Sequence, residues 1–150
     1  MLKDQRSLSE EEWFARMERL GRREGFFTRL GLDHSALFVD REDTLIVTFE
    51  TVDSIRRRQP DEVPLGLSVC ENRDWSHLCV MTRGDTWYRD PAVYGFIDSL
   101  VDDAFFDAYQ QVIFFGAGMA GYAAAAYSVA APGATVIVIQ PQATLDPAVA

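Results

Sequence analysis

The stretch VIFFGAGMAGYAAAA, residues 112–126, is the most informative part of this sequence. An apolar run meets a glycine-rich turn, and alanines follow, so the stretch predicts a strand, a sharp turn and a helix. Its glycines, Gly116, Gly118 and Gly121, spell G-x-G-x-x-G, the fingerprint of a dinucleotide-binding turn. The same letters fit the nucleophile elbow, G-x-Ser-x-G, with Gly118 in place of the serine.

The residues after the turn favour the elbow over the dinucleotide site. A dinucleotide site needs an acidic residue near the end of the next strand, where it holds the ribose hydroxyls. Gln140 stands at about that position, with no Asp or Glu close to it. An elbow needs small residues two positions before and after the nucleophile, and Gly116 and Ala120 meet that need. We therefore expect no dinucleotide and no other cofactor.

The elbow interpretation supplies the candidate binding residues Gly116, Ala117, Gly118 and Met119. The amide of Met119 follows the nucleophile position, so it is the expected donor to an oxyanion-like group at a helix N-terminus. Gly118 offers neither a hydroxyl nor a thiol. The sequence therefore predicts elbow geometry without a catalytic nucleophile, and no catalytic residue is assigned.

In the rest of the chain, hydrophobic spacing predicts helices and strands in alternation. Ser9 and Glu12 form a capping box that begins a helix, and Gly21 is expected to end it. The runs ALFVD (36–40) and TLIVTFE (44–50) predict a hairpin-like pair of strands, and LGLSVC (65–70) a short strand. The remaining predicted elements are a strand at SHLCVMT (76–82), a helix from Pro91 that bends near Asp102-Asp103, and a strand at TVIVIQ (135–140). Such alternation is typical of an α/β fold with a mainly parallel sheet.

Composition excludes several classes of protein. The chain has 150 residues, 48% of them apolar, and a net charge of −9. This length and apolar content are enough for one domain with a hydrophobic core. Arg89 is the last basic residue, so nucleic-acid binding is not expected. No apolar run is long enough for a transmembrane helix, and the acidic, polar first residues do not resemble a secretory signal peptide. We expect a cytoplasmic protein in which Cys70 and Cys79 are buried thiols.

Other chemistry-bearing residues give weaker signals. His77 opens a predicted strand, so it is either a structural hydrogen-bonding residue or, with Gln140, an outer contributor at the sheet-end crevice. The loop Tyr88 to Asp90 reads as a salt-bridged loop, and the arginines of IRRRQ (55–59) as a solvated helix face. The acidic residues between 102 and 107 lack a converging ligand set, so no metal site is predicted.

The elbow also resembles that of the α/β-hydrolase-like accessory proteins, which reads approximately YGSSMGGYAAL and is followed by a strand and PQ…D. This chain matches at Phe115-Gly116, Met119, Gly121-Tyr122 and the alanines, and later at Pro141-Gln142 and Asp146. The similarity covers roughly residues 44 to 146. It implies a hydrolase-like fold, and it departs where Gly118 replaces the family's serine.

The segments WSHL, DTWYRD, GYAAAA and APGATV…QPQATLDP also resemble a group of bacterial proteins often labelled phosphoadenosine phosphosulfate reductase. Such a reductase needs an S-G-G-x-D-S nucleotide loop and a reactive cysteine near its C-terminus. This chain has neither, so its residues do not support that activity.

These observations predict a three-layer α/β sandwich of hydrolase-like type. Residues 1–32 are expected to form a helical docking segment, and residues 33–150 a hydrolase-like domain that lacks its C-terminal part. The expected function is binding or accessory, toward an unknown small molecule or protein partner. An enzyme with reactive groups beyond residue 150 and a dinucleotide-binding module remain the alternatives. Because TVIVIQ is apolar on both faces, we expect this strand to be interior, or to be covered in a homo-oligomer.

Overall fold

The computed structural model describes residues 8–84 and 86–139, which form one six-stranded sheet with helices on both faces. The strands are β1 (Gly25–Leu30), β2 (His34–Val39), β3 (Thr44–Thr51), β4 (Ser76–Thr82), β5 (Gln111–Ala117) and β6 (Thr135–Ile139). The helices are α1 (Glu10–Glu24), α2 (Val52–Arg58), α3 (Leu65–Glu71), α4 (Pro91–Asp102) and α5 (Met119–Tyr127). Short 3₁₀ turns lie at Pro60–Glu62, Phe106–Ala108 and Ser128–Ala130. No helix in this described part combines the length and apolar character needed to cross a bilayer.

The sheet has the strand order β1-β2-β4-β3-β5-β6. Strands β4, β3, β5 and β6 pair in parallel, and β2 runs antiparallel to both β1 and β4. The prediction of an α/β fold with a mainly parallel sheet is therefore confirmed. Since parallel strands share a direction, β3, β4, β5 and β6 all end at one edge of the sheet, which we call the C-terminal edge.

Alternate side chains of the central strands enter two different cores. Leu45, Val47 and Phe49 of β3 belong to the larger core, which α4 and α5 cover. On the opposite face, Trp13 and Met17 of α1 lie in a second core with apolar residues of α2, β2 and β4. The two faces carry separate sets of helices, so the molecule has three layers.

The N-terminal helix begins as predicted and ends later than predicted. Ser9 and Glu12 exchange the two hydrogen bonds of a capping box. Gly21 does not end the helix, which continues to Glu24. A Cβ at Gly21 would lie 2.7 Å from the backbone of Phe26, so the residue is small to permit close packing of α1 on β1. Strand β1, also within residues 1–32, pairs along its whole length with β2.

Two local predictions are wrong because distant contacts decide them. Strands β2 and β3 do not form a hairpin, since β4 lies between them and pairs with both. Residues 65–71 are helical, although LGLSVC was expected to be a strand. A short apolar run fits either structure, and this one becomes a helix that packs on β3 and β4.

The strands predicted at 76–82 and 111–117, and the helix after the glycine turn, are confirmed. The helix from Pro91 ends at Asp102 and is followed by a separate 3₁₀ turn. Strand β6 is the last strand of the sheet among the described residues, and the expectation that further chain or a second copy covers it stays a prediction. Val136, Ile137 and Ile139 are 39%, 43% and 47% exposed.

Candidate functional site

The glycine turn between β5 and α5 has the geometry of an elbow. Gly118 caps α5 with φ 58° and ψ −127°, a conformation that residues with a Cβ rarely adopt. Its amide donates to the carbonyl of Ile139 at 3.2 Å, and its carbonyl accepts from the amide of Gly121 at 2.9 Å. These bonds tie the turn to the end of β6 and to the first turn of α5.

The glycines around the turn have different steric roles. A Cβ at Gly116 would lie 2.2 Å from the carbonyl oxygen of Ala120, and one at Gly121 would lie 2.6 Å from Cγ1 of Val138. Both positions therefore bring backbone against its neighbours. A Cβ at Gly118 would meet nothing within 4 Å. The turn is thus tight on its inner side and open at the position that a nucleophile would occupy.

The turn lies where a ligand site is expected in such a sheet. The chain leaves β3 toward α2, on one face, and leaves β5 toward α5, on the other. Strands β3 and β5 are neighbours, so their C-terminal ends form a topological switch point, with a crevice between the diverging connections. The turn 116–119 borders this crevice.

The start of α5 supplies hydrogen-bond donors to that crevice. The first amides of an α-helix, here those of Met119 and Ala120, have no intrahelical acceptor, and the helix dipole makes this end electropositive. Met119 is half-buried and Ala117 exposed, so ligand atoms have access from one side. The arrangement suits a carbonyl oxygen or an anion and offers no nucleophile.

The structure separates His77 from the elbow. His77 pairs with Ile46, which pairs with Ile113 of β5, five residues before Gly118. At the usual rise per residue this places His77 roughly 16 Å back along the strand direction. It also faces the layer of α1 to α3, so it does not reach the turn. Gln140, the other predicted outer contributor, lies outside the described residues.

His77 belongs to a buried polar cluster that sequence reasoning missed. Its Nε2 lies 2.7 Å from Oγ1 of Thr48, which donates to Oε2 of Glu50 at 2.7 Å. The thiol of Cys79 donates to the same carboxylate oxygen at 3.7 Å. The alternation of Thr48 with Glu50, and of His77 with Cys79, was the available signal, because residues two apart on a strand share a face.

The polar cluster anchors helix α3. The Glu50 carboxylate accepts from the amides of Leu65 at 2.7 Å and Gly66 at 3.1 Å, so a side chain of the sheet caps this helix. A Cβ at Gly66 would lie 2.2 Å from Nε2 of His77, which explains the glycine. Among the described residues, Glu50, His77 and Cys79 alone place three ligand atoms within 4.8 Å of one another.

We assign these contacts a structural role. Burial lowers the pKa of His77 to about 3, so its ring is neutral. Burial also raises the pKa of the Cys79 thiol well above its ordinary value, and the nearby Glu50 charge acts in the same direction. A thiol that resists ionisation is a poor metal ligand, and Thr48 already occupies the position between the ring and the carboxylate.

A second feature at the C-terminal edge is an aromatic loop, which leads from β4 to α4. Trp87 and Tyr88 have φ values of 56° and 59°, unusual for consecutive residues that carry a Cβ. Oγ1 of Thr86 holds the loop: it lies 2.7 Å from Nε2 of His34 and 2.8 Å from Oγ1 of Thr82, and it accepts from the amide of Tyr88 at 3.1 Å.

The loop forms one wall of a cleft of about 610 Å³. The other walls come from α4 and α5. The lining residues are predominantly aromatic: Trp87, Tyr94, Tyr122 and Tyr127. Burial raises the pKa of Tyr127 to about 12, and its hydroxyl donates to the carbonyl of Tyr88 at 2.6 Å, which fixes one corner of the cleft.

Comparisons with known proteins give no family for this chain. No family model matches it. No curated protein matches it either. Its function must therefore be inferred from the glycine turn and its surroundings.

Proposed function

We propose that this chain is a hydrolase-like binding or accessory protein, in which the turn 116–119 holds a carbonyl or carboxylate group through backbone amides. The observation that carries the proposal is the conformation of Gly118, whose φ of 58° and ψ of −127° stand at a strand-to-helix turn with open space at its Cβ position. A nucleophile elbow is such a turn. Here it retains the geometry and lacks the reacting atom.

The strand order supports the same proposal. The order β1-β2-β4-β3-β5-β6, with β2 reversed, is consistent with the first part of an α/β-hydrolase sheet, and the glycine turn follows the fifth strand. A dinucleotide fingerprint belongs to the first strand–turn–helix unit of its sheet instead. In this chain the first such unit joins β3 to α2 directly at Thr51-Val52, without a glycine.

Neither histidine within residues 1–150 lies near the glycine turn. Acyl transfer through a serine requires a general-base histidine within hydrogen-bond reach of the nucleophile. His77 faces the other layer of the fold. His34 pairs with Thr82 at the C-terminal edge, but β4 and β3 separate its strand from β5, so it lies roughly 14 Å across the sheet. Its Nε2 is already bonded to Thr86.

Backbone-resolved NMR tests the proposed binding. Titration with acetate and with methylphosphonate is expected to shift the amide resonance of Met119 in a saturable way. Met119→Pro deletes this donor at the first position of α5, where proline is tolerated. The matched control Met119→Leu keeps the amide. We expect Met119→Pro to abolish the saturable shifts of neighbouring amides and Met119→Leu to retain them.

A folding check and an activity-based probe complete the test. Both variants must show a wild-type near-ultraviolet circular dichroism spectrum before their titrations are compared. A fluorophosphonate probe is expected to leave the wild-type chain unlabelled, since no serine stands at position 118. Stoichiometric labelling of any serine would overturn the non-hydrolytic assignment. Saturable binding to a folded Met119→Pro variant would show that the amide of Met119 is not the donor.

A further inference from the structure

We infer that the aromatic cleft between the loop 86–90, α4 and α5 binds a small molecule that combines a planar ring with a carboxylate or phosphate group. None of the residues that carry this inference belongs to the turn 116–119, so it does not depend on the proposed function. The cleft volume of about 610 Å³ lies within the usual range for small-molecule sites.

The walls of the cleft suit a planar ring. The Trp87 and Tyr122 rings meet edge to face with centroids 5.1 Å apart, and the ring centroids of Tyr94 and Tyr127 are 6.2 Å apart. Tyr94 and Tyr122 are 44% and 45% exposed, although large aromatic side chains are usually more buried. Ala123 and Ala126 of α5 also line the cleft. A ring in this space would gain edge-to-face contacts that an aliphatic group does not make.

Arg89 gives the cleft its charge preference. Among the described residues of the lining it alone is charged, and it is exposed. In the part of the chain that the structure describes, no carboxylate pairs with its guanidinium. The carboxylate beside it in sequence, Asp90, is engaged in capping α4 through the amide of Ala92 at 2.8 Å. A guanidinium beside aromatic faces is well suited to a carboxylate or phosphate.

The loop is held in this shape before any ligand arrives. The positive φ values of Trp87 and Tyr88 are a conformation that the surroundings must impose. Thr86 imposes it from one side through its bonds to His34 and Thr82, and the Tyr127 hydroxyl from the other. Backbone strain that a buried network maintains is common at ligand sites, because it fixes side chains that would otherwise point elsewhere.

Calorimetry with four probes tests the inference. We expect 2-naphthoate or 2-naphthyl phosphate to bind the cleft saturably, and the tighter of the two identifies the preferred anion. The uncharged 2-naphthamide and the non-planar cyclohexanecarboxylate are each expected to bind at least roughly fivefold more weakly. If 2-naphthamide binds as tightly as both anions, or cyclohexanecarboxylate as tightly as 2-naphthoate, the inference is wrong. If neither naphthyl anion binds, it is wrong as well.

Two variants and one control assign the binding to the cleft. Arg89→Gln is expected to weaken the anion roughly fivefold and to leave 2-naphthamide unchanged. Its control, Arg22→Gln, removes an exposed arginine from α1 and is expected to have no effect. Trp87→Asn removes the ring but keeps the loop, because asparagine tolerates a positive φ. We expect the affinity for the naphthyl anions to fall more than about tenfold in this variant. Unchanged affinity in both Arg89→Gln and Trp87→Asn would place the ligand elsewhere.

Discussion

Gly116→Ala is expected to destabilise the protein by about 3 kcal/mol, at the upper end of the range for overpacked positions. The added methyl would lie 2.2 Å from the carbonyl oxygen of Ala120, where ordinary contacts begin near 3.4 Å. The opposing atom belongs to the backbone, so no side-chain rotation relieves the overlap. The strand or the helix must move, and Gly116 is paired with Val138 in the β5–β6 ladder.

Two other glycines serve as comparisons for this prediction. Gly121→Ala meets a methyl group, Cγ1 of Val138, at 2.6 Å, and the gain in helix propensity of about 1 kcal/mol offsets much of the cost. We expect a net change near zero. Gly95→Ala, at an exposed position of α4 where a Cβ meets nothing within 4 Å, is expected to stabilise by about 0.5 to 1 kcal/mol.

Urea unfolding of the three variants measures these differences. The urea midpoint is expected to be highest for Gly95→Ala, intermediate for Gly121→Ala and lowest for Gly116→Ala. The dependence of the unfolding free energy on urea concentration should be the same in all three. The double variant Gly116→Ala with Ala120→Gly should not recover stability, because the contact involves the carbonyl and not the methyl of Ala120. Wild-type stability of Gly116→Ala, or rescue by Ala120→Gly, would refute the close approach of β5 and α5 at the turn.

Three further predictions concern other regions. Burial holds the pKa of His77 near 3 in the folded chain, whereas an unfolded histidine has a pKa of about 6.5. Below about pH 6.5 the unfolded chain therefore binds a proton that the folded chain excludes. The free energy of unfolding should fall from that pH toward pH 3 by up to about 1.4 kcal/mol per pH unit. Urea titrations from pH 7 to 5 should show a flatter profile for His77→Gln, and parallel profiles would contradict this. The exposed edge of β6 should cause the protein to associate as its concentration rises, as measured by light scattering. Ile137→Lys should reduce this association, whereas the control Leu32→Lys, at an exposed turn, should leave it unchanged. A wild-type protein that is monomeric at all concentrations would count against this prediction. Calorimetry with NAD and FAD should show only weak binding, and low-micromolar affinity would restore the dinucleotide interpretation of the turn 116–121.

Sequence reasoning succeeded where the deciding contacts are local. The capping box of Ser9 and Glu12 involves atoms three residues apart, and the tight approach at Gly116 involves Ala120, four residues later. It failed where a distant residue decides. Helix α3 takes its cap from Glu50, fifteen residues earlier, and this bond has no signature within LGLSVC.

The candidate sites follow the same division. The strand, glycine turn and helix of 111–127 could be predicted because their pattern is written in consecutive residues. The aromatic cleft could not, since Trp87 becomes part of it through a positive φ that Thr86 and His34 maintain across 52 residues of chain. Side chains from α4 and α5 complete the cleft, and only the packed fold brings these helices together.

The position of β4 between β2 and β3 has a consequence for synthesis on the ribosome. β2 and β3 emerge before β4, joined by a short charged turn, and each has an edge that β4 will later occupy. Until residues 76–82 have left the exit tunnel, the nearest partner for this free edge of either strand is the other strand. The nascent chain is therefore exposed to a competing hairpin that must separate before the native sheet closes, and slow translation between residues 51 and 76 would prolong that exposure.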